Sequence, residues 1–157
     1  MKSILVLDNI RSVMNVGSIF RTANALGIEK IYLCGITPDP LDRFGRPRKD
    51  FAKVSLGAEA SVAWEHVEST VGLIQKLRTE GCYVVAIEQT ENSLDYKSID
   101  LIEKSMVAFV LGPEVEGMSL DVLNEVSVVA EIPMRGSKES LNVSVACAVA
   151  LYRILNV

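Results

Sequence analysis

The sequence predicts an α/β fold, with a mostly parallel sheet held between helices. Short apolar runs alternate with segments of helical spacing along the chain. The runs, such as ILVL at 4–7 and VAFVL at 107–111, are apolar at every position rather than at alternate ones. That is the pattern of strands buried on both faces of a parallel sheet. The length of 157 residues, 49% hydrophobic and 23% charged, suits a single domain. A chain of this size buries enough surface to fold without a disulfide or a metal.

Residues 2–8 read as a buried strand. Residues 15–27 read as a helix, because Val16, Ile19, Phe20, Ala23 and Leu26 follow helical spacing and Gly27 supplies a stop. A second strand covers 30–35. The stretch 36–48 contains Pro38, Pro40, Gly45 and Pro47 and must be a loop, long enough to suggest function. A short strand at 61–64 precedes a helix over 67–80 that ends at Gly81. Further strands are expected at 82–88, 106–111 and 127–132. A looser stretch with some helix covers 89–104, a short helix 120–125, and a closing helix 140–155. No repeat, linker or low-complexity segment divides the chain, so 1–157 reads as one domain. Ligands of such folds sit at the carboxyl ends of the strands.

Cys34, Cys82 and Cys147 are odd in number, widely spaced and set in apolar runs. They match no zinc spacing and read as buried free thiols. The single histidine, His66, leaves little for a histidine-based triad and reads as structural; no metal is expected. No apolar run reaches the roughly 18 residues of a membrane span. MKSILVLDN is a poor signal peptide, so a cytoplasmic protein is expected. The formal net charge of −4 argues weakly against a nucleic-acid partner, but its distribution is uneven. Between 41 and 53, LDRFGRPRKDFAK sets Arg43, Arg46, Arg48, Lys49 and Lys53 against only Asp42 and Asp50. One basic loop on an acidic body is either an anion-binding surface or a solvated loop without a ligand.

Three stretches carry more polar information than packing needs. In DNIRSVMNVGSIFRTANALG (8–27), Asn15 sits where asparagine caps a helix, and Arg21 lies awkwardly beside Ile19 and Phe20. An arginine there suits a cleft for phosphate or carboxylate, or else a surface ion pair. In LGPEVEGMS (111–119), a buried strand ends in Gly-Pro followed by Glu114. Gly112 and Gly117 permit close backbone approach to a ligand, although a plain turn into a helix capped by Ser119 explains the same residues. In EIPMRGSKESLNVSVACAVALY (131–152), Ser140 and Asn142 stand near a helix N-terminus, where N–H groups attract electron-rich ligand groups. The helix beyond carries an apolar face (Val143, Ala146, Val149, Ala150, Ile154) that reads as core or subunit interface. No P-loop and no G-x-G-x-x-G after a strand is present.

In this order and spacing, the three stretches resemble the SpoU family of RNA 2′-O-ribose methyltransferases, a branch of the SPOUT superfamily. The first matches the family's motif one, with Asn15 and Arg21 in its asparagine and arginine positions. LGPEVEG is similar to motif two and IPMRGSKESLNVSVA to motif three. KVSLGAEASV (53–62) resembles the segment that precedes the family's third strand. The resemblance implies a C-terminal deep trefoil knot, a homodimer built on the closing helix, and S-adenosylmethionine bound between motifs two and three. By residue, it implies a cofactor pocket of Ile87, Glu88, Gly112, Glu114, Gly117, Ile132, Pro133, Met134, Ser140 and Leu141.

The resemblance further implies that Arg21 acts on a ribose 2′-hydroxyl aligned with the sulfonium methyl. A guanidinium is a poor base. Either Arg21 binds the neighbouring phosphate and stabilises the developing alkoxide, or the site must turn it into a base. Asn15, Asn142 and Ser140 would hold Arg21, the ribose or the cofactor in place. Motif one starts close to Met1 and motif three ends close to Val157, so target recognition is expected from the core dimer. The loop with Arg43, Arg46, Arg48, Lys49 and Lys53 is its candidate RNA contact, beside Arg21. Minimal relatives point to tRNA before ribosomal RNA. A non-catalytic RNA-binding protein of the same fold is the second reading. A hydrolase or reductase finds no nucleophile elbow or dinucleotide fingerprint.

Overall fold

The computed structural model describes all 157 residues. Its elements run β1 (Lys2–Asp8), α1 (Val13–Leu26), β2 (Lys30–Cys34), α2 (Lys49–Ser55), α3 (Ala58–Ser61), β3 (Ala63–Val67), α4 (Thr70–Thr79) and β4 (Tyr83–Ile87). Then follow β5 (Leu94–Asp95), a 3-10 turn (Tyr96–Ser98), β6 (Met106–Leu111), α5 (Leu120–Leu123), β7 (Val128–Glu131) and α6 (Val143–Leu155). The seven strands form one sheet in the order β3-β2-β1-β6-β4-β7-β5. Every pairing in it is parallel.

The central strands show why their sequences are apolar at every position. Leu5 and Leu7 of β1, Val85 and Ile87 of β4, and Val107, Phe109 and Leu111 of β6 enter one core, with Val16, Ile19 and Phe20 of α1 and Cys147, Ala150 and Leu151 of α6. The alternate residues Ile4, Val6, Val84, Ala86, Ala108 and Val110 enter a second core, beneath Leu73, Ile74 and Leu77 of α4 and Val122 of α5. Strand side chains alternate between faces, so both faces must be apolar when helices cover both. All three cysteines are buried and free. Burial pushes the Cys34 and Cys147 thiols up to about 12 and Cys82 to about 11.

Several local expectations shift. α1 starts at Val13, not at Asn15, because the Ser12 hydroxyl accepts from the Asn15 N–H at 3.2 Å and is itself the cap. α6 starts at Val143 rather than 140, with Asn142 as its cap, its Oδ1 accepting from the Ser144 N–H at 2.9 Å. β3 lies at 63–67, slightly beyond the expected 61–64. The stretch 41–53 is not all loop, since α2 begins at Lys49. α2 has a single large anchor, Phe51, whose ring meets Phe20 edge-on with centroids 5.2 Å apart. Gly17 lets α2 sit against α1: a Cβ there would lie 3.1 Å from the Val54 Cβ and 3.3 Å from the Phe51 carbonyl oxygen. His66 bridges the root of the 36–48 segment, with Nδ1 2.6 Å from Asp39 Oδ1 and Nε2 2.8 Å from the Gly35 carbonyl.

Candidate functional site

A cleft of about 440 Å³ opens where β4 and β6 end, beside the segment that follows β7. Its apolar lining comes from Ile87, Leu111, Ile132 and Met134, and from Val143 and Ala146 on the first turn of α6. The turn 112–118 forms one wall. Gly112 starts it with the Met118 side chain pressed so close that a Cβ on Gly112 would lie 2.5 Å from Met118 Cγ. Gly117 adopts φ 71°, and a Cβ there would reach within 3.1 Å of Glu88 Oε2. Gly112 thus requires glycine for close approach, and Gly117 for its backbone angle.

Two carboxylates pin this turn. Glu88 accepts from the Met118 N–H at 3.2 Å and from the Gln89 N–H at 2.9 Å. Glu114 accepts from the N–H groups of Arg11 and Ser12, each at 3.2 Å, and from Asn15 Nδ2 at 3.2 Å. A carboxylate beside the first turn of a helix also meets the positive end of its dipole. Partial burial pushes the Glu114 carboxyl up, but its own N–H, Asn15 and the N–H groups of Arg11 and Ser12 outweigh that and hold it below the usual range.

A polar chain continues across the rim. Asn142 Nδ2 donates to Asn15 Oδ1 at 3.1 Å, so Glu114, Asn15 and Asn142 tie the turn, α1 and α6 together. These residues are 99 and 127 positions apart in their hydrogen-bonded pairs. The three polar stretches of the sequence therefore meet at one place.

Ile87, Glu88, Gly112, Glu114, Gly117, Ile132, Met134, Ser140, Leu141, Asn15 and Asn142 all line the cleft. Pro133 does not. Arg21 also lies outside it, exposed, its side chain without a hydrogen bond or ion pair to the rest of the chain. Six residues of helix turn it about 120° from Asn15 and carry it about 9 Å along the axis. Leu111, Pro113, Val115 and Gln89 line the cleft with no sequence signal for it, and so do Val143 and Ala146, whose apolar face reads from sequence as core or subunit interface. Apolar residues of this kind look the same in sequence whether they fill a core or a cleft.

The basic segment divides by partner. Arg48 grips Asp50 through both nitrogens, at 3.1 and 2.9 Å, and Arg46 pairs with Asp42 at 3.2 Å. That contact holds the Asp50 carboxyl below the usual range. Arg43, Lys49 and Lys53 are exposed and make no ion pair. No group of three or more His, Cys, Asp or Glu side chains is placed to hold a metal, and no helix is long and apolar enough to cross a membrane.

Residues 2–152 match the SpoU rRNA Methylase family. A Coxiella burnetii 23S rRNA (guanosine-2′-O-)-methyltransferase, RlmB, is 33% identical over 96% of this chain and 57% of its own length. A Staphylococcus saprophyticus protein named for the TrmH family of tRNA/rRNA methyltransferases is 32% identical over 98% of this chain and 58% of its own. The structure of an AdoMet-bound rRNA methyltransferase from Sinorhizobium meliloti superposes with a TM-score of 0.88 at 28% identity, over 99% of this chain and 56% of that one. The chain thus spans a little over half the length of these relatives.

Proposed function

Since the chain belongs to the SpoU rRNA methylase family, we propose that it transfers a methyl group from S-adenosylmethionine to a ribose 2′-hydroxyl of RNA. The observation that carries this reading is the cleft itself. Its volume falls in the range of small-molecule sites, and its apolar lining with a few placed polar groups suits a nucleoside. Glu88 and Glu114 at its edge favour a ligand that carries positive charge, as a sulfonium does. Nine of the ten residues inferred to contact the cofactor line it, all but Pro133.

S-adenosylmethionine, when bound, supplies an electrophilic methyl group: an O–C bond forms at the ribose, the methyl C–S bond breaks, and the hydroxyl proton leaves. The chain's part is positioning and charge stabilisation. The Glu114–Asn15–Asn142 chain fixes the rim where the ribose would lie. Ser140 lines the cleft at the same edge, exposed, where its hydroxyl can meet a bound ligand. Arg21 binds the adjoining phosphate and stabilises the developing alkoxide. Because Arg21 stands away from the cleft of its own chain, the reading includes a homodimer, in which it can serve the cleft of the partner. In this reading the dimer forms on α6, whose Val145, Val149 and Tyr152 make an exposed stripe. The family's trefoil threading belongs to the same reading.

Arg43, Lys49 and Lys53 contact RNA phosphates, with Arg46 and Arg48 beside them. tRNA is favoured as substrate over ribosomal RNA. Transfer of labelled methyl from S-adenosylmethionine to tRNA and to ribosomal RNA, each lacking native modifications, tests this. Alkali-stable label in either pool, lost in Arg21→Ala while calorimetric cofactor binding persists, is expected. Cofactor binding with no label in either RNA, or label at a base, sinks the reading.

A further inference from the structure

The functional reading uses the cations of the 41–53 segment but leaves its most exposed aromatic unexplained. Phe44 is 66% exposed, on a chain whose other phenylalanines (Phe20, Phe51 and Phe109) are fully buried. Single apolar side chains are common on protein surfaces, so the case for Phe44 rests on what surrounds it. Its surroundings are built rather than loose. Leu41 and Pro47 form an antiparallel bridge, and the Arg48 N–H donates to the Pro40 carbonyl at 2.9 Å. Within this small hairpin the Asp42 N–H donates to the Arg46 carbonyl at 2.7 Å, and Gly45 takes φ 74°. The Asp42 carboxylate accepts from the N–H of Phe44 at 2.8 Å, from the N–H of Arg46 at 3.0 Å and from Arg46 Nε at 3.2 Å. These contacts fix the hairpin backbone from which Phe44 projects into solvent.

Two guanidinium groups attend the ring. The Arg43 Cζ lies 4.8 Å from its centroid and the Arg46 Cζ 4.9 Å. Aromatic and guanidinium planes, presented together with positive charge, are what an unstacked nucleobase and its phosphate bind. The exposed cation–π contacts are worth less than a base–aromatic stack, so an incoming base can displace or extend them. The hairpin also stands at the functional end of the sheet. It follows the carboxyl end of β2, and Ile36 at its root shares a small depression with Pro113 and Gly117 of the cleft wall.

We propose that Phe44, between Arg43 and Arg46, is a stacking platform for one unpaired base of the RNA, at a nucleotide other than the methylated one. The hairpin thereby selects RNA that offers a single-stranded loop beside the target ribose. This rests on the RNA-methyltransferase reading.

The test uses the full chain and a short single-stranded RNA carrying 2-aminopurine, titrated at several salt concentrations. Wild type is expected to bind it and change its fluorescence. Phe44→Ala should raise Kd by between about 5-fold and about 150-fold, the worth of one stack, with an unchanged salt slope and no fluorescence change. Phe44→Tyr should bind as wild type. Neutralising Arg43 and Arg46 together should lower the salt slope, marking phosphate contacts. Wild-type affinity in Phe44→Ala, or a slope altered by it, overturns the platform and leaves the methyltransferase reading standing. Failure of the wild type to bind this RNA overturns the platform too. If tRNA and ribosomal RNA also stay unmethylated, the functional reading falls with it.

Discussion

At the residue scale, the site depends on atoms that leave no spare room. Gly112→Ala places a methyl group against Met118 Cγ and 3.2 Å from the Met118 backbone nitrogen, and Met118 is itself buried. The side chain can turn away but the backbone cannot, so we expect overpacking of about 1–3 kcal/mol. A lowered Tm and weaker cofactor binding should appear together in thermal unfolding and calorimetry; a Tm equal to wild type counts against the close approach. Glu114 supplies a second test. Its folded carboxyl lies below the ordinary glutamate value of about 4.3. The stabilisation it gives is therefore complete above that value and is lost as pH falls through the lower, folded one. Glu114→Gln should melt below wild type at neutral pH, and the gap should close in acid. A gap that is constant with pH removes the charge from the argument.

At the scale of elements, the sequence is most readable where packing is two-sided. β1, β4 and β6 are continuous apolar runs because each feeds both cores, and their expected bounds fall within a residue of those observed. α2 escaped notice for a physical reason: it is seven residues long, lacks a side-chain cap, and buries only Phe51 and Ser55. The helical period cannot show in two anchors. β5 is two residues, held only by pairing with β7. Ion pairing inside the 41–53 segment was equally hidden, since the residue count credits every cation alike. The geometry separates them. Arg48 is already engaged by Asp50, whereas Lys49 beside it has no anionic partner. Lys49→Gln should reduce the salt slope of RNA binding by about 0.7, the share of one single-strand phosphate contact. Arg48→Gln should change it less. Equal losses from both substitutions indicate that RNA breaks the Arg48–Asp50 pair.

At the scale of the whole molecule, the sequence revealed which residues matter more clearly than where they stand. Asn15, Glu114 and Asn142 are legible because each stands in a polar stretch that packing does not need, and the three do meet at one place. Arg21 was singled out on the same stretch, yet helix geometry turns it away from Asn15, a relation that residue type alone does not disclose. That separation bears on assembly. α1 and α6 cover the same face of the sheet, and α6 adds an outward stripe spaced by four and three residues: Val145, Val149 and Tyr152, each 38–47% exposed. Such spacing keeps side chains on one helical face, and apolar groups gathered there favour a second apolar surface over water. If the proposed homodimer forms through this stripe, Val149→Glu places a charge in it while disturbing little of the monomer, because Val149 is already partly in solvent. Sedimentation should show a dimer for wild type and a monomer for the variant. Methyl transfer should fall with the dimer while melting of the fold stays cooperative. A wild-type monomer that methylates RNA means that Arg21 serves its own chain or takes no part in the chemistry, whereas a dimeric and fully active Val149→Glu takes the interface off this stripe.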